Sequence, residues 1–511
     1  MMFSTFPKLW LSKGITLILA LTLNPGANAQ QVFQTNRFEI PTNRYEISFE
    51  VVPAQEDGIF LFRKFAAAGN DQFEIVKLDT AFQEQWRGFL PVDKKYILMS
   101  KKANRGKLFF LLRYHDFSRN DFVLFAIEHD TGEFIKYSIR NFIPFAPSEF
   151  QVTETAAIMG GYYNQVPVVM YYSFHTGKAK ILPGLLNENG DLTQVKIYPD
   201  DTFDVIICAR NFRGQETVWL KNYNAEGELQ SNFALDPDGN RHLIFARSIK
   251  TNNMQLVAGV FGGRNSEYSR GLFLASIDPS GIQQLRYYNY GDLENFFKYM
   301  KAKREKRVKE RIARRKIRGK KIRFNYRFLV HEIVPYNNQY ILLGEAFYPR
   351  YISTDRTYYG GFFNPSALYR NSIIRDGRIF DGYHYTHAVV MGFDQNGKLL
   401  WDNSFEINDV KTFTLEQFVK LEVQGDRIAL LYLYENELRT KIIKDDQVLE
   451  GKTFEPIKTS GANEIVKNDQ TDFNRLDYWY RGYFYAYGVQ EITNPGTGKR
   501  RVFFINKIRY H

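Results

Sequence analysis

One hairpin recurs along the chain: an apolar strand, a turn carrying Asp or Asn and usually Gly, then a second strand. It reads "FVLFAIEHDTGEFIKYSI", "VVMYYSFHTGKAKIL", "TVWLKNYNAEGELQSNF", "LFLASIDPSGIQQLRYY" and "AVVMGFDQNGKLLWDNSF", with weaker copies in "FEIVKLDTAFQEQW" and "TKIIKDDQVLEGKTF". The turn glycines Gly132, Gly177, Gly227, Gly281 and Gly397 follow one another at intervals of 45, 50, 54 and then 116 residues. A period of about 45–50 residues with several strands per unit marks the blades of a β-propeller. Two further strands precede each hairpin, so a blade has four. An eighth, incomplete unit closes the chain in "LDYWYRG", "YFYAYGVQEI" and "RVFFINKIRYH", and its missing outer strand is available in the N-terminal "FQTNRFEIP". The expected fold is all-β, a propeller of eight four-stranded blades with seven as the alternative, carrying one inserted basic α-helix. A pair of β-sandwiches would not repeat one hairpin at a common spacing.

The first residues read as an export signal. Lys8 and Lys13 form a positive region, "GITLILALTL" a short apolar run, and "ANA" (Ala27–Ala29) a small-residue cleavage site. Residues 1–29 are therefore expected to be a signal peptide and 30–511 a single exported propeller domain. The residue after the cleavage site is Gln30, not Cys, which argues against a lipoprotein anchor. Cys208 is the single cysteine, so the fold rests on its core and not on intramolecular disulfides.

The formal charge is +12, and its placement is uneven. Lys298 to Arg323 holds 15 basic residues and two acids, Glu305 and Glu310. Without that segment and the leader, 51 Lys and Arg face 54 Asp and Glu, a net of −3. The pI argument for a nucleic-acid binder thus concerns one segment, and export removes nucleic acid as a partner. Asp292 is placed to cap a helix and Gly319 to end it. Leu293, Phe297, Met300, Val308 and Ile312 form one stripe at helical spacing. The reading is a basic helix within an insertion spanning 292–323, about 26 residues long. Glu294–Lys298, Glu305–Lys309 and Glu310–Arg314 are available as stabilising pairs, with Phe296, Phe297 and Met300 docking on the propeller. Lys303, Arg304, Arg307, Arg311, Arg314, Arg315 and Arg318 are candidate contacts for an acidic protein surface or an anionic lipid. The apolar stripe is narrow for a membrane-inserting helix, so a protein partner leads.

The long interval also contains a second insertion, an aromatic loop at 348–387 between the second and third strands of the sixth blade. Tyr351, Tyr358, Tyr359, Phe362 and Phe363 are its candidate partner-binding residues, with arginines between them; Tyr and Arg are enriched at binding hot spots. Insertions in repeat folds often mark the binding face. Chemistry is harder to find. His384 and His387 are three apart, which in a strand sends them to opposite faces. "NPGTGKR" lacks P-loop spacing and reads as a hairpin. No catalytic residue, metal site or cofactor is expected.

The stretches "MKAKREKRVKERIARRKIRGKKIRFNYRF", "GEAFYPRY" and "FDGYHYTHAVVMGFDQNGKLLWDNSFEINDVKTFTL", together with the layout, resemble a family of periplasmic Bacteroidota propellers that includes the plug subunit of the type IX secretion translocon. The resemblance implies a non-enzymatic protein, peripheral to the outer membrane, that closes the periplasmic mouth of a translocon channel protein. Two alternatives stand beside it: a periplasmic propeller enzyme acting on glycans or a quinone-dependent substrate, and an envelope module binding lipid A phosphates.

Overall fold

A computed structural model describes residues 32–510 except 68–69, 116–120, 141–142, 186–188, 252–253, 265, 267, 321, 354–373, 376–377, 408–409, 462, 468–473 and 497. Eight antiparallel blades of four main strands form a ring, and among the described residues one α-helix lies outside it. The first blade is typical: Glu50–Pro53, Ile59–Ala67, Asn70–Leu78 and Glu84–Val92 pair in that order from the axis outward. All seven hairpins read from the sequence are third-to-fourth-strand hairpins.

Blades five and six share one turn chemistry. In "DPSG" Asp278 Oδ1 accepts the backbone N–H of Ser280 and Ile282, both at 2.9 Å. In "DQNG" Asp394 Oδ1 does the same for Asn396 (2.9 Å) and Lys398 (2.8 Å). The glycine that follows has φ of +86° at Gly281 and +75° at Gly397, the left-handed region a side chain disfavours. In the first blade, typical in its strands, the turn residue differs. There Asp79 still accepts from Ala81 and Gln83, at 2.8 Å each, but Phe82 takes the left-handed position at φ +66°. Its ring stacks on Trp479 of the last blade at 5.5 Å and 6°.

The eighth blade closes the ring as expected. Arg475–Tyr480, Tyr483–Asn494 and Gly498–Tyr510 supply three strands, and Val32–Pro41 pairs with the last of them as the outer strand. Arg37 locks this strand. It donates to Glu39 (2.6 Å), to the side chains of Gln490 and Asn506 (2.8 Å each) and to the Lys458 carbonyl (2.9 Å). Its guanidinium lies 4.7 Å from the Phe504 ring centre.

Blade six departs from the repeat. Its second and third strands, Gln339–Ser353 and Arg378–Asp394, stay paired from Gln339↔Asp394 to Ser353↔Arg378. The inner strand, Arg327–Tyr336, accompanies them only as far as Phe347. The two middle strands therefore continue as an arm, about 20 Å beyond the blade at ~3.3 Å per residue, flanked by the short pieces Lys411–Thr412 and Ile374–Arg375 that pair with the third strand. This corrects the expected loop at 348–387: residues 348–353 and 378–387 are strand, because an alternating Tyr/Phe/Arg pattern pairs as readily as it loops.

In a four-stranded antiparallel blade, the first-to-second and third-to-fourth turns lie at one end of the ring. The second-to-third turns and the links between blades lie at the other. The basic segment is a link from blade five to six, and the arm is a second-to-third connection. Both insertions thus emerge from one face.

Truncating Arg37 would leave Glu39, Gln490 and Asn506 short of a donor. Arg37→Ala should lower unfolding stability by about 2–4 kcal/mol, read as a shift in the urea midpoint. An unshifted midpoint would show that closure does not depend on Arg37.

Candidate docking site

The basic insertion begins inside the core. Tyr290 is fully buried, shares a hydrogen bond with Ser269 Oγ (2.5 Å) and stacks on Phe296 at 4.6 Å. Leu293, Phe296 and Phe297 are buried in one cluster with Phe328, Met391 and Phe393 of blade six. Asp402, on the outer strand Leu399–Glu406, takes the backbone N–H of Glu294 (2.8 Å) and of Asn295 (2.7 Å). The Asn295 amide returns a bond to the Asp402 carbonyl at 2.6 Å. Burial holds the Asp402 carboxyl above its ordinary pKa, opposed by these two backbone donors.

The helix α1 spans Ala302–Ile317, 16 residues. Its start differs from the sequence reading, which placed the cap at Asp292 in an insertion of 292–323. The Asp402 clamp and the burial of Phe296 and Phe297 wind residues 293–300 into turns, and Lys301 precedes the helix without a side-chain cap. Asp292 instead reaches back to the helix end, 3.1 Å from Lys316 Nζ. The C-terminus is as read: Gly319 has φ +61°, its N–H bonds the Lys316 carbonyl, and Lys320 N–H bonds Arg315 O, both at 3.0 Å. Of the expected pairs, Glu305–Lys309 forms at 2.7 Å, while Arg314 Nε donates to the backbone carbonyl of Glu310 at 3.3 Å. Val308 and Ile312 pack against the propeller cluster, so α1 lies along the surface with its apolar stripe consumed.

Lys303, Arg304, Arg307, Arg311, Arg314, Arg315 and Arg318 are all exposed, on α1 or at its end. Tyr351 is on the arm, 5.7 Å from Phe380 between ring centres. Tyr358, Tyr359, Phe362 and Phe363 lie outside the described residues. At the arm's base, Asp381 accepts from Lys411 Nζ at 2.8 Å and faces Arg350 Nε at 3.5 Å. The Lys411 hydrogen bond, with both charges, holds the Asp381 carboxyl below its usual range.

The two insertions meet at His387. This third-strand residue is fully buried. Tyr299 of the basic segment stacks on it at 3.9 Å and 6°, and Phe296 meets it edge-on at 4.8 Å. Its Nδ1 lies 2.9 Å from Thr386 Oγ1, and among the described residues its buried Nε2 has no hydrogen-bond partner. Burial pushes the imidazole pKa down to about 3. Neither Asp402 nor His387 was identified as an anchor from sequence, since each meets a segment roughly 90–110 residues away and no local pattern announces it.

Towards the axis, the inner strands interleave cations and carboxylates. Lys196 Nζ of blade four bonds Glu332 of blade six at 3.2 Å, Lys101 pairs with Glu50, and Arg247 donates to the Thr193 carbonyl. Burial, with Arg475 nearby, lowers Lys101 to about 8, and burial raises Glu149. Cys208 is buried, and burial pushes its thiol well up. Among the described residues no three His, Cys, Asp or Glu side chains are grouped to hold a metal.

No family model matches the chain, and no curated protein is similar to it. Solved structures share the propeller architecture at low similarity. The polysaccharide lyase Uly1 is 10% identical with a TM-score of 0.39, over 80% of this chain and 89% of its own. A prolyl endopeptidase gives 10% and 0.39, over 81% of this chain and 50% of its own. The β-propeller domain of the trilobed protease from Pyrococcus furiosus gives 10% and 0.35, over 80% and 95%. Likeness at this level carries no functional argument.

Asp402→Asn should weaken the clamp on residues 294–295 by about 1–3 kcal/mol. Amide exchange should quicken across 293–312 while the other blades keep their protection; unchanged exchange there would contradict the clamp. His387 supplies a pH dependence. Its folded pKa lies below its unfolded value, so its contribution is complete above pH ~6.5 and falls as pH drops towards about 3. At pH ~4.5 the loss should reach about 2–3 kcal/mol. Comparing His387→Phe with wild type isolates it: the variant should lose less stability between neutral and acid pH, and equal losses would refute the assignment.

Proposed function

We propose that this protein is a non-enzymatic periplasmic propeller that docks on an outer-membrane protein complex, as a plug at the periplasmic end of a type IX secretion channel. One observation carries the docking reading: both insertions leave the same face, and α1 is fixed there by its apolar stripe with its cations outward. The nine basic and two acidic residues of α1 make it a preformed anionic-partner surface, since the helix is already ordered when the partner arrives. The choice of a translocon plug rests on the sequence resemblance and the layout. The interleaved charges near the axis join neighbouring and distant blades, which suits a closed ring more than an open substrate site.

The test leaves the anchors in place. Reversing Arg304, Arg307, Arg311 and Arg314 to Glu should keep the thermal midpoint within a few degrees, as these side chains are exposed. Recovery of outer-membrane complex proteins with the tagged chain from detergent-solubilised envelopes should fall by about tenfold or more. Recovery at the wild-type level would remove the helix as the docking element.

A further inference from the structure

Beyond protein docking, the same face bears a second pattern. Large exposed aromatics stand singly around its rim: Tyr45 (98% exposed) in the link from blade eight to one, Phe212 (92%) in blade four, Tyr268 (46%) in blade five, Tyr348 (48%) on the arm and Phe413 (53%) in the link from blade six to seven. Each has a cation near it in space or in sequence, and four of these cations also face a carboxylate: Arg213 faces Asp236, Arg44 faces Glu491, and Arg350 and Lys411 both face Asp381. Arg213 lies 5.1 Å from the Phe212 ring centre, Arg327 5.3 Å from Tyr268 and Lys411 5.2 Å from Phe413. Arg44 adjoins Tyr45, and Arg350 follows Tyr348 by two residues. The opposite face is of the other sign. Its third-to-fourth-strand turns carry Asp79, Asp130, Glu226, Asp278, Asp394 and Asp445 in six of the blades. The third-to-fourth-strand turns of the opposite face are thus mainly acidic, while α1 makes the insertion face basic beside blade six.

We infer that the insertion face rests on an anionic lipid surface, with the rim aromatics at headgroup depth and α1 against the phosphates. A protein hot spot gathers its aromatics at the centre of a patch that excludes water. Here they are separated, each at a loop or arm position next to Arg or Lys, which is the pairing that suits a wet, anionic interface with an apolar layer just beneath. A fluid surface accommodates separated tips that a rigid partner would have to match one by one. The helix contributes mainly charge, because Val308 and Ile312 are already packed on the propeller and Ile317 at its end is its one large apolar side chain left exposed. The charge polarity orients the approach before contact. This inference shares its face with the docking reading but does not depend on it.

The test uses the chain from Gln30 onward, which keeps every strand of the ring and omits the apolar leader. Cosedimentation with phosphatidylcholine vesicles is compared with vesicles that also contain phosphatidylglycerol, at low and high salt. Binding should require the anionic lipid and be released by salt. The triple variant Tyr45→Ala, Phe212→Ala, Phe413→Ala, whose sites are exposed, should bind about tenfold more weakly, and so should the α1 charge reversals. Absence of binding to anionic vesicles at low salt, or wild-type binding by the aromatic variant, would overturn the inference. A chain that ignores vesicles yet still recovers envelope proteins would show the face to be a protein-docking surface alone, leaving the preceding reading intact.

Discussion

The ring exists because its two ends pair. A sheet edge left open between the last and first blades would expose a row of backbone donors and acceptors, and the strand Val32–Pro41 removes that edge by joining the C-terminal strand Gly498–Tyr510. The closure is reinforced across the seam. Trp479 donates to the Gly58 carbonyl at 3.1 Å, and Lys507 Nζ bonds the Thr80 carbonyl at 2.8 Å, each joining blade eight to blade one. With the circle closed, every blade has two neighbours, and an insertion can enlarge one blade without loosening the others.

Blade six uses that tolerance twice. Its outer strand presents Asp402 to the entering basic segment, and its third strand presents His387 to Tyr299. A second buried carboxylate, Glu345, ties the exit: His331 lies 2.7 Å away, and Phe418 and Val419 donate their backbone N–H to it at 3.1 and 2.6 Å. Two buried acids thus fix the chain on either side of the enlarged blade. The basic helix and the arm are thus carried on an ordered base within the fold.

Much of this was legible in the sequence, and the limits are physical. The hairpins could be read because the turn is chemically local: in blades one, five and six an Asp side chain accepts the N–H groups two and four residues on, and in five of the seven a Gly takes the positive φ. The N-terminal outer strand was legible by subtraction, since the last blade lacked one. The helix start was misplaced because Asp292 and the apolar run Leu293–Met300 carry a helical pattern, whereas tertiary bonds to Asp402 decide their conformation. The arm was misread as a loop because its pairing is set by extension of strands begun inside the blade. The sign difference between the two faces was also hidden. It appears only when turns separated by whole blades are brought to one end of the ring.

The central claim is that this protein meets its partner through the insertion face. Site-specific photo-crosslinking in intact envelopes tests it directly, with the reactive group placed either at Arg311 on α1 or at Asn396 in a turn of the opposite face. The account predicts adducts to outer-membrane components from position 311 and none from position 396. Adducts from position 396 with none from 311 would contradict it.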